Sequence, residues 1–335
     1  MKTAKAILSL FAVIVSLLLL IGLFNYSVDV YCFYNCKTIT PEQATLNRYY
    51  QVAQKMIAQP NLEYLILGSS RGETTNSEIV EILTKKKVFN ASVAGGEYYA
   101  KMAYARLAAE RTKVNHIIWL ADYFDLTGSA ADFVLMNTKP LASYLITPEK
   151  SFDLLLYFKK LLTLIDHNTI EASISFLKNR KNVILNKGKG SEIDKEKCLQ
   201  EKSLLPQQQA DLEKQVGLIY QNYISGVLNS KINPNIWDRF KEQLNSFKPI
   251  QFKFVILPYH PKFLARLKSE KPAIYQNHID WITSMQNLQG ENVTVVNYFD
   301  GIPGDRNDVS NWNDGSHFNC HGSYLIMKNI FTNGR

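Results

Sequence analysis

Two short stretches near opposite ends of this 335-residue chain hold residue types that could together perform acyl transfer. The first is Leu67-Gly68-Ser69-Ser70-Arg71-Gly72, which closes a short apolar run. Open α/β sheets collect ligands at the carboxyl ends of their strands, so Ser70 on a glycine-flanked turn stands where a nucleophile would. A serine that merely caps the following helix would look the same. The second stretch is Asn313-Asp314-Gly315-Ser316-His317-Phe318-Asn319. A carboxylate three residues ahead of an imidazole can accept its Nδ1 proton and leave Nε2 free to take a proton from a serine. An Asp-Gly turn followed by a capping histidine also fits. Taken together, the chain order Ser, Asp, His across the first strand and the last loop of one sheet brings both stretches to the same edge.

The elements that would position them alternate in an α/β rhythm. Glu63–Leu67 is short, apolar and ended by Gly68, as a buried parallel strand is. Asn76–Lys85 is expected to be a helix capped by Asn76 or Ser77, residues 87–91 a second strand, 97–111 a helix and 116–121 a third strand. The rhythm breaks at Asp125 and resumes with strands at 252–257 and 292–297, helices near 261–267 and 275–288, and a last helix after His321. This predicts a flavodoxin-like three-layer αβα sandwich with a mainly parallel sheet over residues 61–335, carrying a helical insertion at about 126–248. Within the insertion, Lys139-Pro140 and Thr147-Pro148 bound short segments. Residues 177–197 form a basic stretch, with seven Lys or Arg against three acids, read as a solvated loop or a contact for an anionic lipid or polymer.

The N-terminus sets the compartment. Residues 7–24 form an uncharged apolar run long enough to cross nearly all of a hydrocarbon core about 30 Å thick. Lys2 and Lys5 precede it, and no Lys or Arg follows before Lys37. The positive-inside bias then leaves residues 1–6 in the cytoplasm and the body outside, on a signal anchor with a stem at 25–60. A cleaved signal peptide fits the same orientation. Hydrophobic residues at 46% and charged residues at 20% exclude a coiled coil and a disordered chain. The formal charge of +8 is modest, and no nucleic-acid partner is expected. Four cysteines are too few for a disulfide scaffold, and no second close pair exists for zinc. Cys32 and Cys36 either close a small loop or stay as thiols, while Cys198 and Cys320 have no evident partner. No metal and no dissociable cofactor is expected.

Gly68-Ser69-Ser70 resembles the first block, and Asp314-x-x-His317 the last block, of the SGNH/GDSL hydrolase superfamily. Residues 89–95 (FNASVAG), 119–124 (WLADYF) and 257–261 (LPYHP) extend the resemblance to further strand ends. More narrowly, the chain is similar to a membrane-anchored, envelope-facing bacterial branch that includes the D-alanyl transfer protein of teichoic acid modification and alginate acetyltransferase-like proteins. The resemblance covers roughly 60–125 and 250–330 and leaves out the insertion. It implies Ser70 as nucleophile, His317 as base and Asp314 as its orienter. The backbone N–H groups of Ser70 and of the second block, where Ser92 replaces glycine and Gly95 follows, would form the oxyanion hole. The third block offers Asp122 where the family has an asparagine donor. A carboxylate there repels an oxyanion unless it is protonated or turned away. Arg71 either pairs with Asp122 or binds an anionic substrate group. His260 lines the pocket or is structural, and Trp312 is a sugar platform or, preferably, a packed support for the loop. The implied activity is a serine acyl esterase or O-acyltransferase acting on an acylated surface glycan or glycolipid, with envelope-assembly proteins as further partners. The alternative is a non-catalytic module that binds a glycan or an assembly partner.

Overall fold

The computed structural model describes residues 2–34, 36, 40, 46–128, 131–145, 154–185, 195–200, 205–247, 249–304 and 309–332. Five parallel strands form one sheet: β1 (Tyr64–Leu67), β2 (Val88–Asn90), β3 (His116–Ala121), β4 (Gln251–Ile256) and β5 (Val293–Asn297), in the order β2-β1-β3-β4-β5. This is the flavodoxin-like strand order, which reverses direction between β1 and β3 and opens a crevice at their carboxyl ends. Leu67 pairs with Trp119, and Ala121 with Ile256, so the ends of β1, β3 and β4 stand side by side. Their residues on both faces, among them Leu65, Ile66, Leu67, Ile118, Leu120, Phe254 and Val255, are almost wholly buried, as strands covered on both faces require.

Thirteen α-helices are described: α1 (Lys2–Val28), α2 (Arg48–Ile57), α3 (Ser77–Thr84), α4 (Tyr98–Arg111), α5 (Phe133–Asn137), α6 (Leu154–Leu162), α7 (His167–Leu185), α8 (Lys195–Leu199), α9 (Pro206–Ser225), α10 (Pro234–Ser246), α11 (Pro261–Glu270), α12 (Pro272–Gln286) and α13 (Cys320–Thr332). Asn76 caps α3 by accepting from the Ile79 N–H at 3.1 Å, and Lys85 ends it in a left-handed conformation. Proline at the first turn of α9, α10, α11 and α12 starts each helix without wasting a backbone donor. The crossovers β1-α3-β2 and β2-α4-β3 run in opposite senses. Right-handedness therefore puts α3 and α4 on opposite faces of the sheet, and α13 packs with α3.

The chain divides into two compact units, Met1–Lys55 with Asp132–Gly190, and Met56–Ala131 with Ser191–Arg335. The helical stretch expected at 126–248 is thus shared, since α9 and α10 belong with the sheet. In the first unit α1 is apolar enough to cross a membrane, with a mean hydropathy of 3.0 over its best window. The Asp29 carboxylate just after it accepts from the N–H groups of Phe33, Tyr34 and Cys36. Cys32 and Cys36 are bonded there, with Cα atoms 4.5 Å apart.

Two expectations change. Cys198 and Cys320 are paired, Cα to Cα 5.0 Å, because α8 packs against the start of α13 despite a sequence separation of 122. Residues 177–185 of the basic stretch continue α7 as helix rather than loop, while residues 186–194 and the Thr147-Pro148 step lie outside the described residues.

Candidate active site

The site is built where β1 ends. Gly68 lets the backbone approach β2 closely: a Cβ there would stand 2.5 Å from Ser92 Oγ and 3.1 Å from Gly72 Cα. Ser69 Oγ donates to Asp122 Oδ2 at 2.7 Å and accepts from the Arg71 N–H, capping a single 3₁₀ turn over Ser70–Gly72. Ser69 is therefore occupied inward. Ser70 Oγ lies 2.8 Å from His317 Nε2, and His317 Nδ1 lies 2.8 Å from Asp314 Oδ2. The other Asp314 oxygen accepts from the N–H groups of Ser316 and His317, at 2.7 and 2.8 Å. Burial alone would raise the Asp314 carboxyl. The His317 hydrogen bond and the two backbone donors outweigh it and hold the carboxyl below its ordinary value. An ionised Asp314 requires a proton on Nδ1, which turns the Nε2 lone pair toward Ser70. The two stretches singled out in the sequence thus meet in a hydrogen-bonded series of hydroxyl, imidazole and carboxylate.

Arg71 and Asp122 pair with each other behind this series, both fully buried. The Arg71 guanidinium also donates through Nε to the Ser316 carbonyl at 2.8 Å and through its second terminal nitrogen to the Pro258 carbonyl. Its face lies 4.5 Å from the Tyr259 ring centroid. One side chain thereby joins the ends of β1, β3 and β4 to the His317 loop. Asp122 is turned away from Ser70, with one oxygen on Arg71 and the other on Ser69. With both oxygens so engaged, the carboxylate offers no donor to a developing oxyanion. Lys101 of α4, also fully buried, donates to both Asp125 oxygens at 2.7 Å and to the Leu120 carbonyl at 2.8 Å. Trp119 Nε1 and the Asp122 N–H complete the shell around Asp125. Burial pushes the Asp125 carboxyl up to about 6 against the pull of Lys101. Two cations thus face two carboxylates, the balance that a buried ionic cluster needs.

The second block behaves differently from the expectation for Ser92. Its N–H donates to Asn90 Oδ1 at 3.0 Å, so that donor is already engaged. Ser92 Oγ is buried without a hydrogen bond and fills the space left by Gly68 and Gly72. The neighbouring N–H groups of Val93, Ala94 and Gly96 go to the Gly68 carbonyl, Glu73 Oε1 and the Val93 carbonyl. Gly95, with φ 71°, carries the one N–H of residues 92–96 that has no partner among the described residues. The Ser70 N–H is likewise without one.

His260 is buried at the start of α11. Its Nδ1 accepts from the Lys262 N–H at the start of α11, and its own N–H donates to the Gly315 carbonyl at 3.1 Å. Burial, with Lys262 adding to it, pushes the imidazole down to about 4. Trp312 is buried against His260 and Phe318, supporting the loop rather than facing solvent.

Several residues that hold the loop carry no sequence signal of their own. Gly315 lies against α9, where a Cβ would come within 3.3 Å of the Val216 backbone. The Cys198–Cys320 bond and the His321 Nδ1 hydrogen bond to the Cys198 carbonyl anchor the chain three and four residues beyond His317. Lys101 was detectable only as a cation inside an alanine-rich, otherwise apolar helix face.

No family model matches this chain, and no curated protein matches it. Among solved structures, one described as "a putative platelet activating factor from Streptococcus pneumonia" is similar over 84% of this chain and 89% of that one, at 14% identity and a TM-score of 0.34. At that score the likeness carries neither fold nor function, and the site stands on its own geometry.

Proposed function

We propose that the protein is a serine acyl esterase or O-acyltransferase of SGNH-like type. The observation that supports this reading is the pair of 2.8 Å contacts linking Ser70 Oγ, His317 and Asp314. Ser70 Oγ attacks the ester carbonyl carbon as His317 Nε2 takes its proton. The ester C=O becomes an oxyanion that the N–H groups of Ser70 and Gly95 are available to receive. Collapse breaks the C–O bond to the alcohol, which leaves with the proton from His317 and leaves the acyl group on Ser70. Water or an acceptor hydroxyl then gives its proton to His317 and attacks the acyl-enzyme, releasing acid or new ester and restoring Ser70.

The sequence blocks shared with envelope-facing SGNH-like proteins, together with the apolar α1, suggest an acylated surface glycan or glycolipid as substrate and the non-cytoplasmic side as location. A second reading, a glycan- or partner-binding module without turnover, is favoured by one observation: Asp122 supplies no third oxyanion donor. The two are separated by labelling with a fluorophosphonate. We expect Ser70 to be modified, Ser70→Ala to abolish labelling and Ser69→Ala to retain it. Absence of labelling in the parent protein supports the binding module, and labelling of Ser70→Ala rejects the nucleophile.

A further inference from the structure

Among the described residues, the large apolar side chains that stand exposed are sharply segregated. All but Ile82, Leu199, Leu205 and Leu218 belong to α1 or lie between Leu155 and Leu177. On α6, Leu155, Phe158 and Leu162 recur at helical spacing and are 76%, 54% and 60% exposed. A surface helix in water turns its apolar stripe inward and its polar face out. This one is inverted.

The inverted stripe is continuous with α1. The 3₁₀ turn after α6, Thr163–Ile165, crosses α1 at Gly22, whose missing Cβ would lie 3.9 Å from Ile165. Between them runs a groove of about 470 Å³ lined almost entirely by apolar atoms, with Val15, Leu18 and Leu23 on one wall and Leu161 and Ile165 on the other. Asn25 of α1 donates to the Leu164 carbonyl at 2.7 Å, satisfying a turn carbonyl that no helix bond uses. Backbone facing lipid needs that kind of internal partner. Gly22 lies six residues before the end of α1 at Val28, about 9 Å along the axis. That is the depth at which interfacial helices bury their apolar faces, about 5–10 Å into the headgroup and acyl boundary.

We infer that α6 and the turn after it lie in the same bilayer that α1 crosses, in the leaflet at the Val28 end. Phospholipid acyl chains occupy the groove between Leu18 and Leu161. The inference rests on α1 spanning the membrane, and it makes the attachment a two-element one, with α6 holding the first unit flat against the surface.

Depth-dependent quenching tests it on the full chain reconstituted in phosphatidylcholine vesicles whose acyl chains carry bromine. Single tryptophans are added at exposed positions as Phe158→Trp and Leu18→Trp, with vesicles lacking bromine as the control. The expected result is loss of most of the added emission for both variants in brominated vesicles only. Quenching of Leu18→Trp without Phe158→Trp overturns the α6 contact while keeping the α1 span. Failure to quench Leu18→Trp removes the span and the inference together.

Discussion

Arg71 Nε donates to the Ser316 carbonyl at 2.8 Å, so the residue after Ser70 is tied to the residue before His317. The two halves of the candidate catalytic series come from opposite ends of the chain, and loop closure over that separation leaves their distance free unless something fixes it. Arg71 fixes it with a planar fork that also holds Asp122 and the Pro258 carbonyl. A lysine in its place reaches one such partner at a time. Arg71→Lys is expected to keep the charge and the fold, judged by circular dichroism, and to slow fluorophosphonate labelling of Ser70 by about 10²-fold, the scale of a 1 Å misplacement. Arg71→Met removes the nearer of the two buried cations beside Asp122, leaving Lys101 Nζ at 4.0 Å and the Ser69 hydroxyl, a loss of up to about 3–5 kcal/mol that denaturant titration would read. Unchanged labelling in Arg71→Lys would show that Ser70 and His317 are held by other means.

The Cys198–Cys320 bond closes on the residue that starts α13, three positions after His317. Replacing both by serine is expected to lower stability by about 2–5 kcal/mol and to reduce Ser70 labelling, with dithiothreitol reproducing both effects in the parent. The Cys32→Ser/Cys36→Ser pair, which lies in the other compact unit, should leave labelling unchanged. If reduction lowers stability but not labelling, the bond supports the fold without holding the His317 loop.

Protonation of buried groups sets a direction for acid sensitivity. Burial pushes His260 and His278 down to about 4, from an ordinary value near 6.5. Between those values the unfolded chain binds protons that the folded chain does not, so their contribution falls as pH drops from about 6.5 to 4. Asp125, pushed up to about 6, acts oppositely: the folded state binds its proton first as pH falls from about 6 to the carboxyl's ordinary value of 3.8. Two histidines against one carboxyl leave a net loss approaching about 1.4 kcal/mol per pH unit across that window. Urea titrations at pH 7, 6 and 5, followed by tryptophan emission, are expected to show declining stability, with a shallower slope in His278→Gln. Stability that rises toward pH 5 would mean the Asp125 effect outweighs both imidazoles.

The five strands and the two turns that carry Ser70 and His317 were legible because they depend on local signals. The buried run of β1 ends at Gly68, and Asp314-x-x-His317 closes its own hydrogen-bonded turn. The supports were not legible, because each depends on contacts between distant segments. Asp122 reads as a fault in an oxyanion hole until Arg71 and Ser69 are seen to take both its oxygens. Ser92 reads as a substituted donor until Asn90 is seen to hold its N–H and two glycines to accommodate its side chain. Cys198 and Cys320 are too far apart in sequence for spacing to pair them, and the role of Gly315 depends on a helix from a stretch that carries no motif.

Asp314 separates a working series from a well-made turn. Its Oδ1 accepts from the Ser316 and His317 N–H groups, and its Oδ2 faces His317 Nδ1. In Asp314→Asn the amide oxygen can keep both backbone bonds, so the loop and its stability should persist. The amide nitrogen then faces Nδ1 with a donor, which favours the tautomer protonated at Nε2 and turns a proton, instead of a lone pair, toward Ser70. Turnover of a chromogenic acetyl ester is therefore expected to fall by about 10⁴-fold, the loss typical when a serine hydrolase's orienting aspartate becomes asparagine, with thermal midpoint nearly unchanged. Because the folded carboxyl lies below its ordinary value, Asp314 should stay ionised at acid pH where an ordinary carboxyl begins to take up its proton. A variant that turned over near the parental rate would leave Ser70 and His317 as a dyad and reduce Asp314 to a shaper of the loop.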